Sequence, residues 1–107
     1  MKNKNYTYFT DNKDRELNVS QMKKYVKNKQ EIDKVLIKLI RPYLKNKKIK
    51  VLDACCGIGH LDYFLSNLFI ESSFQGIDQT SYLIDEARKL CSKRKNVTFE
   101  INDMSNI

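Results

Sequence analysis

Val51-Leu52-Asp53-Ala54-Cys55-Cys56-Gly57-Ile58-Gly59-His60 is the stretch that decides the fold. A short apolar run reaches an acid and is then stopped by two glycines, the pattern of a buried strand that ends in a tight turn. Only three glycines occur in the whole chain, Gly57, Gly59 and Gly76. Two of them in one turn call for a backbone reason, either a conformation closed to other residues or close approach of another molecule to the main chain. Leu61, Phe64, Leu65, Leu68 and Phe69 follow at helical spacing, so the unit reads strand, glycine turn, helix.

Working outward, Ser73–Asp78 is a second strand ending in an acid. Leu83, Ala87 and Leu90 mark a second helix, with Thr80 or Ser81 as its cap and Lys89, Lys93, Arg94 and Lys95 towards its negative pole. Asn96–Ile101 is a third strand that runs into Asn102-Asp103. The order β-α-β-α-β implies right-handed parallel crossovers. It also brings Asp53, Asp78 and Asp103 to one rim of the sheet, at the carboxyl ends of the strands, where α/β sheets bind ligands. Asp78 lies nineteen residues after Gly59, close to the spacing of a ribose-binding acid from a nucleotide-binding glycine turn. Its carboxylate can accept bonds from both ribose hydroxyls, and Asp103 can accept one from an adenine amino group.

Upstream, Ile32, Val35, Leu36, Leu39, Ile40 and Tyr43 predict a helix with Lys34, Lys38 and Arg41 on its other face, ending or kinking near Pro42. Ser20 is a plausible cap for a shorter helix carrying Val19, Met22 and Val26. The expected organisation is an arm or lid over 1–18, with aromatics at Tyr6, Tyr8 and Phe9, then a helical basic segment over 19–48 and the α/β unit over 49–107.

Composition limits the alternatives. At 107 residues, 41% hydrophobic and 31% charged, the chain makes one globular domain at most. No run is long and apolar enough to span a bilayer and no secretory signal precedes the domain, so a cytoplasmic protein without membrane attachment is expected. Three cysteines without CxxC spacing make neither a disulfide framework nor a zinc site; all three read as buried small hydrophobes, and no metal is expected. Residues 1–50 carry 15 Lys and Arg against 5 Asp and Glu, whereas residues 51–107 carry 5 against 8. The basic half contains few arginines, which make the bidentate contacts to phosphates and bases, so a solvated face is the simpler reading and a polyanion site the alternative.

Gly57-Ile58-Gly59-His60-Leu61-Asp62 is not a dinucleotide fingerprint, because Asp62 stands where the third glycine belongs and would meet the pyrophosphate. A ligand with ribose and adenine but no phosphates fits better. Val51–Gly59 resembles motif I of the class I S-adenosylmethionine-dependent methyltransferases, hydrophobic-hydrophobic-Asp/Glu-x-Gly-x-Gly-x-Gly, with Cys55 in the place of the first glycine. Gly76-Ile77-Asp78 resembles their second motif and Ile101-Asn102-Asp103-Met104 their third.

The resemblance covers roughly residues 30–107 and implies a Rossmann-like α/β/α unit with parallel strands in the order 3-2-1, part of a seven-stranded sheet ordered 3-2-1-4-5-7-6. It implies S-adenosylmethionine as cofactor. Asp53 and the backbone from Ala54 through Cys55 and Gly57 to Gly59 would hold the methionyl end, Asp78 the ribose and Asp103 the adenine, flanked by Gln79 and Met104. Strand 1 would have an open edge, so the chain is expected to be an amino-terminal portion of the fold, through truncation, a split gene or an assembly completed by another chain or a second copy. Methyl transfer to an unidentified acceptor, a small molecule before RNA or protein, is the expected function. A non-catalytic interaction module and a basic nucleic-acid-binding protein are the rivals. No catalytic residue is assigned; His60 reads as a surface residue at a helix start, without an acid partner.

Overall fold

Alternation along three short strands separates a covered face of the sheet from one that is largely open. The computed structural model describes residues 15–28, 30–103 and 105; the aromatics at 6, 8 and 9, Met104, and the side chains of Val26 and Ile32 lie outside them. Helices α1 (Arg15–Asn28) and α2 (Gln30–Leu44) precede β1 (Lys50–Ala54), α3 (His60–Leu68), β2 (Ser73–Asp78), α4 (Ser81–Leu90) and β3 (Val97–Ile101). The three strands form one parallel sheet with β2 in the middle, the expected 3-2-1 order.

Val51, Phe74, Val97 and Phe99 pack with Leu65 and Phe69 of α3 and with Ile84, Ala87 and Cys91 from α4 and its end. On the other face, Leu52, Gln75 and Thr98 are exposed. Helix α3 ends where the Asn96 amide donates to the carbonyls of Ser66 and Ser72, both at 3.0 Å, giving orphan groups at the turn a partner. A smaller cluster of Val19, Ile58, Tyr82 and Leu83 seats α1, and the Asn18 amide donates to the Tyr82 hydroxyl at 2.8 Å.

Two upstream expectations are corrected. Helix α1 already includes Arg15–Asn18, and Ser20 lies inside it rather than capping it. Tertiary anchoring explains this, because Asn18 and Val19 are buried against α4 and the turn. Helix α2 docks through Asp33, Ile37, Ile40 and Leu44, whereas Val35, Leu39 and Tyr43 of the predicted stripe are 59%, 66% and 71% exposed. Pro42 stands in its last turn, two residues before the end, so the helix stops close to the residue whose missing N–H interrupts its hydrogen bonding.

The Phe99 ring ties β3 to β2 and to the glycine turn. A Cβ on Gly76 would lie 2.6 Å from Phe99 Cδ1, and one on Gly59 would lie 2.9 Å from Phe99 Cζ and 2.8 Å from Ala87 Cβ. Gly76→Ala is therefore expected to destabilise the fold by about 1–3 kcal/mol through overpacking. Phe99→Leu is expected to cost less in the Gly76→Ala background than in the wild type, because the two changes share one contact. Urea unfolding of the four proteins measures both effects.

Candidate functional site

Three positive-φ positions in five residues shape the turn after β1: Cys55 at 59°, Gly57 at 57° and Gly59 at 79°. Glycine adopts this conformation freely and an L-residue does not. Cys55, in the place of a motif glycine, is held in the left-handed region, and its side chain is turned outward. That corrects the expectation of three buried thiols. Cys91 is buried, Cys56 is half-buried and none is in a disulfide. Burial raises the Cys56 and Cys91 thiols above their ordinary range, Cys91 to about 11, and partial desolvation followed by the nearby Asp78 and Asp53 carboxylates raises Cys55, so all three are protonated at neutral pH and are poor nucleophiles.

The turn is tied back to the sheet. The Cys56 N–H donates to the Ile77 carbonyl at 2.9 Å, and the Gly57 N–H donates to Asp78 Oδ2 at 3.1 Å. Asp78 Oδ1 accepts the Thr80 N–H at 3.0 Å, which orders the start of α4. A carboxylate has about four acceptor sites, so Asp78, half-buried at the rim, keeps capacity for two further donors. Strand register pairs Asp53 with Gly76 and Asp78 with Ile101. Asp53 and Asp78 thus face the same side of the sheet, displaced by two residues, about 7 Å, along the strands and by one strand, about 5 Å, across them. Asp103 lies two residues past the end of β3, rather than closing it, in a loop begun by the Asn102 N–H bond to the Asp78 carbonyl at 3.0 Å. It accepts the Ser105 N–H at 2.9 Å, and that bond lowers its pKa below the usual carboxylate value. Gln79 is exposed beside Asp78.

Asp62, the acid in the place of a third motif glycine, lies beside this turn. It is 0% exposed in the first turn of α3. Burial, and then the neighbouring Asp53 carboxyl, push its pKa far above the ordinary aspartate range. No other residue donates a hydrogen bond to either oxygen, and a bond between two carboxyls needs a proton on one of them. Its signal in the sequence was an acid in register with Leu65 and Phe69 on the buried face of α3.

His60 departs from its expected setting. It starts α3 as predicted, but is half-buried, its ring 6.0 Å from that of Phe64. Burial lowers its pKa, Asp33 of α2 opposes that shift and Lys23 of α1 adds to it. Among the described residues no group of three or more His, Cys, Asp and Glu could hold a metal ion, and no helix is long and apolar enough to cross a membrane.

A sequence profile of the family described as Methyltransferase domain matches residues 45–107. The chain belongs to this methyltransferase family. The matched span begins just before β1 and takes in the glycine turn and all three rim acids. Among solved structures, the chain resembles the plantazolicin methyltransferase BpumL in complex with a monoazolic desmethylPZN analog and SAH, with a TM-score of 0.73 and 20% identity over 94% of this chain and 38% of that one. PKMT2 from Rickettsia typhi, in complex with AdoHcy, is 28% identical over 54% of this chain and 12% of its own length, with a TM-score of 0.52. A SAM-dependent methyltransferase from Geobacter sulfurreducens, in complex with S-adenosyl-L-homocysteine, is 20% identical over 66% of this chain and 30% of its own, with a TM-score of 0.54. The chain thus spans well under half the length of these structures. No curated protein matches it in sequence.

Left-handed backbone at a non-glycine residue costs roughly 1–2 kcal/mol. Cys55→Gly is expected to recover part of that, raising stability by up to about 1 kcal/mol after the greater chain entropy of glycine is counted. Equilibrium unfolding of the variant beside the wild type checks the sign.

Proposed function

We propose that the rim built by Asp53, the 54–59 turn, Asp78 and Asp103 binds S-adenosylmethionine for methyl transfer. The observation that carries this reading is the Asp78 carboxylate. It is committed to the Gly57 and Thr80 amides, yet has acceptor sites left for a pair of hydroxyls. Adenine recognition by Asp103, flanked by Gln79 and Met104, is part of the same proposal. So is the methionyl end held by Asp53 and the backbone from Ala54 through Cys55 and Gly57 to Gly59.

The residues fit this cofactor and disfavour phosphorylated ones. Asp53 forms no ion pair among the described residues, and a carboxylate beside the turn with no cationic partner suits the ammonium and sulfonium of the methionyl end. It would repel a pyrophosphate. When bound, the cofactor supplies an electrophilic methyl group, and alignment with the acceptor is the main requirement for transfer. The chain's own part is to fix the cofactor along the rim and to shape the turn; Asp78 does both by bonding to the loop it sits beside.

A small-molecule acceptor is favoured, with RNA or protein as alternatives. A groove of about 530 Å³ lined by Arg15, Lys23, Lys24 and Lys27 lies between α1 and Glu86 of α4, and it is the one observation in favour of a polyanion. A second reading is that this unit works only when completed. Strand β1 is paired on one side only among the described residues, and Leu52 on it is 46% exposed. Open edges recruit strands, and another segment, a partner chain or a second copy would cover this one.

Calorimetric titration with S-adenosylmethionine and S-adenosylhomocysteine tests the proposal. The wild type should bind both, and Asp78→Ala should weaken binding at least tenfold, the loss of charged hydrogen bonds worth about 1.5–3 kcal/mol. NADH should not bind. Equal affinity in Asp78→Ala, or no binding by the folded wild type, would count against the rim as the cofactor site.

A further inference from the structure

Asp62 occupies the third position of α3, counting from His60, with Gly59 as N-cap. An acid there ordinarily reaches back to the N-cap amide. Here no side chain caps the helix, and the Gly59 N–H is already bonded to the Cys56 carbonyl at 3.0 Å. The groups that face Asp62 are the Asp53 carboxyl from β1, the Cys56 thiol of the turn and the Cys91 thiol after α4. Neither carboxyl is ion-paired among the described residues. A fully buried carboxyl with no donor from any other residue, against a second carboxyl that belongs to the proposed methionyl site, is an incomplete arrangement. It is completed by a proton between the two or by a cation beside them.

We propose that Asp62 is a positioning residue that holds a proton shared with Asp53, and that binding of a cationic ligand at the rim displaces that proton. The inference rests on the cofactor site proposed above. In the ligand-free protein the Asp62 hydroxyl donates to an Asp53 oxygen and fixes that carboxyl. A ligand ammonium or sulfonium beside Asp53 favours the ionised form of Asp62, and its proton passes to solvent. Linkage fixes the sign: a ligand that releases a proton binds more tightly as pH rises, by up to tenfold per pH unit. S-adenosylmethionine carries one more positive charge than S-adenosylhomocysteine, so its affinity should rise more steeply.

Two arms test this. With ligand, titration at pH 7 in buffers of different ionisation enthalpy counts protons released. The wild type should release a measurable fraction of one, more with S-adenosylmethionine than with S-adenosylhomocysteine. Asp62→Asn, whose amide can still donate to Asp53, should bind with no release and a flat pH dependence, and Asp62→Ala should bind more weakly than either. Binding by the wild type without proton release would overturn the proposal.

Without ligand, the carboxyl carbon resonance of Asp62 is followed against pH, beside urea unfolding of the wild type and Asp62→Asn. A proton kept in the folded state and lost in the unfolded one stabilises at low pH. Wild-type stability should therefore fall as pH rises from about 4, the ordinary aspartate value, through the raised folded-state value, and Asp62→Asn should remove that fall. An Asp62 that titrates as an ordinary carboxyl would overturn the proposal whatever the ligand does. Failure of both ligands to bind a folded wild type would overturn the cofactor site and the release step together. The ligand-free arm would then decide the shared proton alone.

Discussion

A single aromatic ring governs how the rim is assembled. Phe99 fills space that exists only because Gly59 and Gly76 have no side chains. The ring belongs to β3, one glycine belongs to the turn after β1 and the other to the middle of β2. One packing contact therefore sets the height of the glycine turn relative to the strands that carry Asp78 and lead to Asp103. Interiors packed to crystal-like density do not tolerate an extra methyl at such a point without movement. The carboxylate of Asp78 then secures the turn through the Gly57 amide. Apolar packing places the loop, and a charged hydrogen bond fixes its direction.

Much of this was legible in the residues. Alternation and helical spacing gave the β-α-β-α-β order, and the paired glycines located the turn. The three acids fell at the carboxyl ends of the strands because parallel crossovers bring every such end to one side. The third strand ends at Ile101 as its apolar alternation implies, and a short loop carries Asp103 two residues beyond it.

The less legible features depended on long-range contacts. Periodicity in 32–43 reports where apolar side chains lie around a helix, not which flank meets the domain. Docking through Asp33, Ile37, Ile40 and Leu44 leaves Val35, Leu39 and Tyr43 to solvent. Helix α1 extends over residues that look like a polar arm because the buried Asn18 amide donates to Tyr82, sixty-four positions away. His60 gained an acidic neighbour in Asp33 only when α2 folded against α3. Asp62 was visible as an acid out of pattern, but its consequence appeared only with its complete burial beside Asp53.

Family membership and fold leave the assignment of the rim as the central claim. It is tested most directly by two-dimensional amide spectra of the isotopically labelled chain during addition of S-adenosylhomocysteine. The Gly57, Gly59, Thr80 and Asp103 amides should shift first and together, because the ligand would lie along the turn and the strand ends. Shifts confined to Lys23, Lys24 and Lys27 on α1, or to the exposed edge of β1, would contradict it.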